Sequence, residues 1–230
     1  MSTQTYPPKK LIQKKPPLVL DVLLLISCIA ISYLKPVPFP WKVPLIAAVI
    51  ISYIYYFYHN TAVIGLGKFN WKSTLGWGLL IAVTIVVGIS NMFNPIMEKL
   101  LNKEVDTSAY GELAGNLEFV QSYWWKAMLS AAVAEEIFYR GFAFYVLGRL
   151  LQDIKYDKVI IVLITALYFG LSHSFQGITG VLGISLAAIV FGSGYYLSKK
   201  NLYALILAHA LVDSWSLFSL YKGGIRFFFE

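Results

Sequence analysis

The chain has 230 residues, of which 58% are apolar and only 13% charged, with a mean hydropathy of +0.65 and a formal net charge of +7. A soluble domain with a solvated surface cannot sustain that balance, so the bilayer is the expected solvent. The lysines stand in short connections between apolar runs and form no basic face, which removes nucleic acid as a partner, and the single cysteine, Cys28, permits neither an intrachain disulfide nor a cysteine metal cluster.

Seven apolar stretches are long enough to cross ~30 Å of hydrocarbon at 1.5 Å per residue. In chain order they run from Leu18 to Leu34, Val43 to Ile64, Leu75 to about Met97, Trp124 to Leu147, Val159 to Phe175, Gly180 to Leu197 and Leu202 to Leu220. They are apolar all round and lack the alternation of barrel strands. The predicted fold is all-α, a polytopic transmembrane bundle of seven to eight helices. Four regions follow: a basic tail over 1–17, three membrane helices and a polar connection over 18–122, a second helix bundle over 123–221, and a short tail over 222–230.

The first stretch has the outline of a signal peptide. Lysines 9 to 15 precede an apolar run, and Leu25-Ile26-Ser27-Cys28 resembles a lipoprotein cleavage box. Asp21 interrupts the run, however, and the run continues past Cys28 to Leu34, so an uncleaved anchor helix is expected. Placing the N-terminus in the cytoplasm puts eleven basic residues inside: Lys9, Lys10, Lys14, Lys15, Lys68, Lys72, Arg149, Lys155, Lys158, Lys199 and Lys200. Seven fall outside: Lys35, Lys42, Lys99, Lys103, Lys126, Lys222 and Arg226. The bias favours this orientation, and the compact chain suggests the cytoplasmic membrane of a bacterial host. The connection from Glu98 to Gln121 then faces out; it is acidic, and its length suggests a cap or a partly helical re-entrant piece.

A charge near the bilayer centre costs at least ~2.5 to 3.5 kcal/mol, so it needs a partner, an aqueous cavity or a function. Away from helix ends the ionisable set is Asp21, Glu135, Glu136, Arg140, His173, His209 and Asp213. In the fourth stretch Glu136 and Arg140 are four apart, acid first, the favourable order for an intrahelical ion pair. Glu135 is turned about 100° from Glu136 on an α-helical wheel, which leaves one carboxylate over for chemistry. The plainer alternative has both glutamates neutralising Arg140 and Lys126. In the fifth stretch Phe169 and His173 share a face; a buried carboxylate and an imidazole can share a water, with Glu135 as general base. In the seventh, His209 and Asp213 are again four apart, so that Asp213 either orients the imidazole or charges it. Packing and a proton relay are the ordinary readings of each motif taken singly.

Together the segments read Glu-Glu-x-x-x-Arg, Phe-x-x-x-His and His-x-x-x-Asp, in order, on three predicted helices. This pattern, from about Trp124 to Leu220, resembles the CAAX protease and bacteriocin-processing family, also called the Abi family, which includes the type II CAAX prenyl endopeptidases. The resemblance implies a glutamate-dependent intramembrane endopeptidase in which Glu135 and His173 activate water. It also implies that His209 and the residue four places on stabilise the oxyanion, while Glu136 and Arg140 support the site. One position departs from the pattern: prenyl endopeptidases typically carry Asn where this chain has Asp213. An ionised aspartate repels developing negative charge, so Asp213 acts directly only when protonated.

No cofactor is expected. Zinc on two histidines and a carboxylate is the rival chemistry, although the chain lacks His-Glu-x-x-His. The glycines of the sixth stretch, Gly177, Gly180, Gly183, Gly192 and Gly194, are read as packing that admits a close neighbour. The expected partners are the lipid bilayer and a peptide or protein substrate at the membrane, such as a leader peptide or a lipidated C-terminus. A non-catalytic immunity or scaffold protein and a proton-coupled transporter are the alternatives; the absence of an inverted repeat speaks against transport.

Overall fold

The computed structural model describes residues 15–34 and 37–224. The charges of Lys9, Lys10, Lys14, Lys35 and Arg226, and with them most of both tails, lie outside the described residues. Among those described, the chain is all-α and folds as seven rods that alternate in direction. The first two are α1 (Leu18–Tyr33) and α2 (Lys42–Tyr58). The third is continuous from α3 (Trp71–Val83) through a π-helical stretch, Thr84–Phe93, into α4 (Asn94–Leu101). The fourth is built the same way, with α5 (Leu117–Ala127), a π-helical stretch Met128–Ala143 and α6 (Phe144–Leu150). The last three are α7 (Asp157–Ser172), α8 (Gly177–Leu197) and α9 (Leu202–Tyr221). Each rod falls on one of the seven predicted stretches.

Local chemistry starts and spaces the rods. Asn70, Asn116 and Asn201 cap α3, α5 and α9, their side-chain oxygens accepting from Ser73 N, Phe119 N and Ala204 N; an asparagine oxygen there satisfies one of the otherwise orphaned first-turn donors. Three helical spans, Trp71–Leu101, Ser174–Leu197 and Leu202–Tyr221, are long and apolar enough to cross a membrane, and α1 and α2 are shorter apolar helices. The fourth rod is interrupted by the site charges. Outward-facing Leu23, Leu45, Leu79, Leu163 and Leu167 are exposed on the bundle, as suits a protein solvated by lipid. This is an integral membrane protein.

One apolar core joins both halves of the chain, from Ile50 and Ile54 through Ile81 to Phe138, Phe142 and Leu205. Helix α3 packs along α9, and α2 along the second π stretch. The glycines act as spacers: a Cβ on Gly170 would strike Ser185 of α8, and one on Gly183 would strike Asn94. The small-residue face of α8 thus meets α4 at Gly183, Ile81 of α3 at Gly194, and Val162 and Phe144 at Gly192.

The 102–116 connection forms a cap over one end. Its Asp106 N donates to Gln176 O (3.0 Å), its Gly115 N to Tyr221 O (2.9 Å), and its Lys103 O accepts from Thr179 Oγ1 (2.7 Å). A short 3-10 turn, Ser108–Leu113, seats Leu113 in a small second core with Ala127 and Leu217. Glu98, assigned by sequence to the start of this connection, instead lies inside α4, buried, with its carboxylate accepting from Val105 N (3.2 Å).

At the opposite end of the fourth rod Asp21 is fully buried. It accepts from Tyr53 Oη (2.8 Å), Tyr145 Oη (3.1 Å) and Arg149. Arg149 also donates to Pro16 O (3.0 Å). The charge that interrupts the first apolar run is therefore the point at which α1 is fastened to α6.

Candidate active site

The fourth rod presents Glu135, Glu136 and Arg140 from its π stretch. π winding passes backbone bonds from residue i to i+5, widening each turn, and such windings gather at functional sites. Glu136 is fully buried, and its Oε1 accepts from Arg140 Nη1 at 2.8 Å, the pair expected from the spacing. The same oxygen lies 2.8 Å from His209 Nδ1. The other oxygen, Oε2, is buried with no hydrogen-bond partner among the described residues. Arg140 is held on both sides by rings: its guanidinium carbon lies 4.7 Å from the centroid of Phe169 and 4.9 Å from that of Phe191. Stacked between aromatic faces and tied to a carboxylate, the fork cannot swing. Lys126 takes no part; it donates to Ser122 Oγ (3.2 Å) and lies over Trp125.

Glu135 has a different environment. Half-buried, it lines a cavity of about 650 Å³ together with Phe169, His173, His209 and Asp213. Among the described residues no group hydrogen-bonds its carboxylate, so nothing but the cavity competes for it.

His173 follows the last residue of α7. With 16 residues this helix rises only about 24 Å, less than the ~30 Å hydrocarbon slab. His173 Nδ1 is 2.8 Å from Phe169 O. A carbonyl can only accept, so Nδ1 carries the proton and Nε2 is left with its lone pair. The Phe169 ring lies 4.8 Å from the imidazole. Phe169 thus performs two tasks, stacking on Arg140 and fixing His173.

His209 is buried in α9, its ring 5.2 Å from Phe191. Its Nε2 is 3.7 Å from Asp213 Oδ1, longer than a hydrogen bond. Glu136 is therefore the group that orients His209, and Asp213 stands beyond hydrogen-bond reach on the cavity wall. Sequence reasoning passed over Phe191 and the wall facing Glu135, which includes Ser90, Asn91, Asn94 and Glu98. The legible signal was the polar spacing of Asn91, Asn94 and Glu98 on one face of an otherwise apolar rod. Asn94 Oδ1 is buried there with no partner among the described residues. No three His, Cys, Asp or Glu side chains among the described residues converge closely enough to hold a metal ion.

Fold and site define a class: a polytopic membrane protein with a fixed carboxylate–arginine–imidazole group beside an unheld carboxylate in a cavity. Within that class, residues 119–215 match the family model described as type II CAAX prenyl endopeptidase Rce1-like. The match spans about two fifths of the chain and contains every residue from Glu135 to Asp213 named above. The chain resembles this family, whose described activity is that of an endopeptidase and hence of a hydrolase. No curated protein and no solved structure matches the chain.

Proposed function

We propose that this protein is a glutamate-dependent intramembrane endopeptidase that hydrolyses a peptide bond of a membrane-associated peptide or protein. The observation that carries the reading is the division of labour between adjacent glutamates: Glu136 is consumed by Arg140 and His209, while Glu135 faces the cavity that His173 also lines. Residues 123–221 carry the chemistry in this reading, and the helices of 18–122 enclose it. The N-terminus lies in the cytoplasm.

Glu135 takes a proton from a water that His173 Nε2 orients, and the hydroxide adds to the scissile carbonyl carbon. The negative charge that develops on the carbonyl oxygen is met by the Nε2–H of His209 in its doubly protonated, imidazolium form, whose Nδ1–H Glu136 holds in place. Collapse of the tetrahedral intermediate breaks the C–N bond, and the proton taken up by Glu135 passes to the leaving amine. Both imidazoles are already oriented, His173 by Phe169 O and His209 by Glu136, which lowers the reorganisation cost at the moment of reaction. In this reading Asp213, on the cavity wall and 3.7 Å from His209 Nε2, tunes His209 by charge and not by a hydrogen bond.

The reading is tested by incubating the purified protein in proteoliposomes with a library of membrane-anchored peptides and identifying products by mass spectrometry. Cleavage that persists undiminished in strong chelator is expected. Stoichiometric zinc in the protein, with activity lost on its removal and restored on its return, would overturn the mechanism.

A further inference from the structure

Because the rods alternate, their connections fall into two groups. One end of the bundle carries Lys15 and the connections 59–70, 151–156 and 198–201; the other carries 37–41, 102–116, 173–176 and 222–224. The cavity belongs wholly to the second end. Its lining includes Phe39, Val105, Tyr110, Gln176 and Gly224, and no residue of 59–70, 151–156 or 198–201. At the first end, here called the closed end, the Asp21, Tyr53, Tyr145 and Arg149 cluster ties α1, α2 and α6 together, and none of its residues lines the cavity.

The basic residues divide unequally over the same two ends. Lys15, Lys68, Lys72, Arg149, Lys155, Lys158, Lys199 and Lys200 lie at the closed end, and the sequence adds Lys9, Lys10 and Lys14 just before it. Lys199 and Lys200 both occupy left-handed backbone, with φ of 59° and 64°, where Gly or Asn would sit with less strain. Cations at such cost in the α8–α9 turn are what a cytoplasmic loop under topogenic selection would carry. The open end carries fewer, Lys42, Lys99, Lys103, Lys126 and Lys222, and there Glu104, Asp106 and Glu112 of the cap and Glu118 in the first turn of α5 offset them.

We infer that the cavity opens to the non-cytoplasmic face, and that its substrate is a polypeptide segment presented at the outer leaflet after export. The substrate half of this inference rests on the peptidase reading; the sidedness does not. A lipidated C-terminus made in the cytoplasm would meet the closed, basic end and find no entrance.

The experiment uses the full chain with Cys28→Ser, which removes its one cysteine. Single cysteines are then placed at exposed positions of the cap (Ala109→Cys, Glu112→Cys) and of the closed end (Gln152→Cys, Asp153→Cys). A membrane-impermeant maleimide applied to intact spheroplasts should label the two cap variants fully, and the other two only after permeabilisation. The reverse pattern, or labelling of both ends in intact cells, overturns the inference. Two positions at each end guard against a single variant that fails to fold. In parallel, a membrane-anchored peptide supplied outside right-side-out vesicles should be cleaved. Cleavage only in inside-out vesicles also overturns the inference. Expected labelling with no cleavage in either orientation would leave the sidedness standing and remove the peptidase reading.

Discussion

Two buried ionic clusters hang on the same rod, and they differ in what they leave over. Near one end Asp21 is saturated by two tyrosine hydroxyls and Arg149, and it does not line the site cavity. Farther along, Glu136 is shared by Arg140 and His209 but retains an unpartnered oxygen, and its neighbour Glu135 is unheld and faces about 650 Å³ of open space. Burial of charge is common to both clusters. What separates a fastening from a site is unspent hydrogen-bonding capacity next to a cavity, since a fully satisfied network has nothing to offer a substrate.

Variants can sharpen or break that contrast. Glu136→Ala should be the most damaging, because it strands the guanidinium of Arg140, 3% exposed, without a counter-charge; breaking such a pair costs about 3–5 kcal/mol. The measurement is folded yield and melting temperature in detergent, and a normally stable Glu136→Ala protein would mean that the pair fixes nothing. His209→Ala should lower kcat by ~10²- to 10³-fold at nearly constant KM, the signature of a donor used only in the transition state. A rise in KM with kcat intact would move His209 from the oxyanion to substrate binding.

The fastening should respond in the other currency. Asp21→Asn keeps one acceptor oxygen, enough for Tyr53 or Tyr145 but not for both at their separate oxygens, and leaves Arg149 uncompensated. Because that side chain is 25% exposed, the loss should be only about 1–2 kcal/mol of stability, read as a lower melting temperature with turnover per folded molecule unchanged. A large fall in turnover would show that the two clusters are coupled. Asp213→Asn should have the smallest effect, within about tenfold of the parent in kcat/KM, since Asp213 is beyond hydrogen-bond distance from His209; a larger loss would give Asp213 a direct part in the reaction.

How much of this was legible in the sequence follows from the kind of interaction involved. The seven rods were readable because a membrane forces apolar runs of fixed length, and the Glu136–Arg140 pair because it is local to one helix. The link from Glu136 to His209 spans 73 positions, and no periodicity announces it; sequence spacing pointed instead to Asp213, four residues from His209. Phe191 was hidden for the same reason, being one aromatic among many until packing set it against Arg140. The π winding that carries both glutamates has no residue signature. Asp21 could be recognised as anomalous, but its partner Arg149, 128 positions away, could not.

The central claim is that adjacent glutamates have separate duties, and it is tested most directly by single-turnover cleavage with Glu135→Gln and Glu136→Gln, each normalised to folded protein. Glutamine is nearly isosteric and cannot accept a proton from water, so Glu135→Gln should lose ~10³-fold or more in the chemical step while keeping the parent's melting temperature. Glu136→Gln should instead lower the melting temperature and retain measurable cleavage in the fraction that folds. A Glu135→Gln protein that cleaves at the parental rate would contradict the account, whatever became of Glu136.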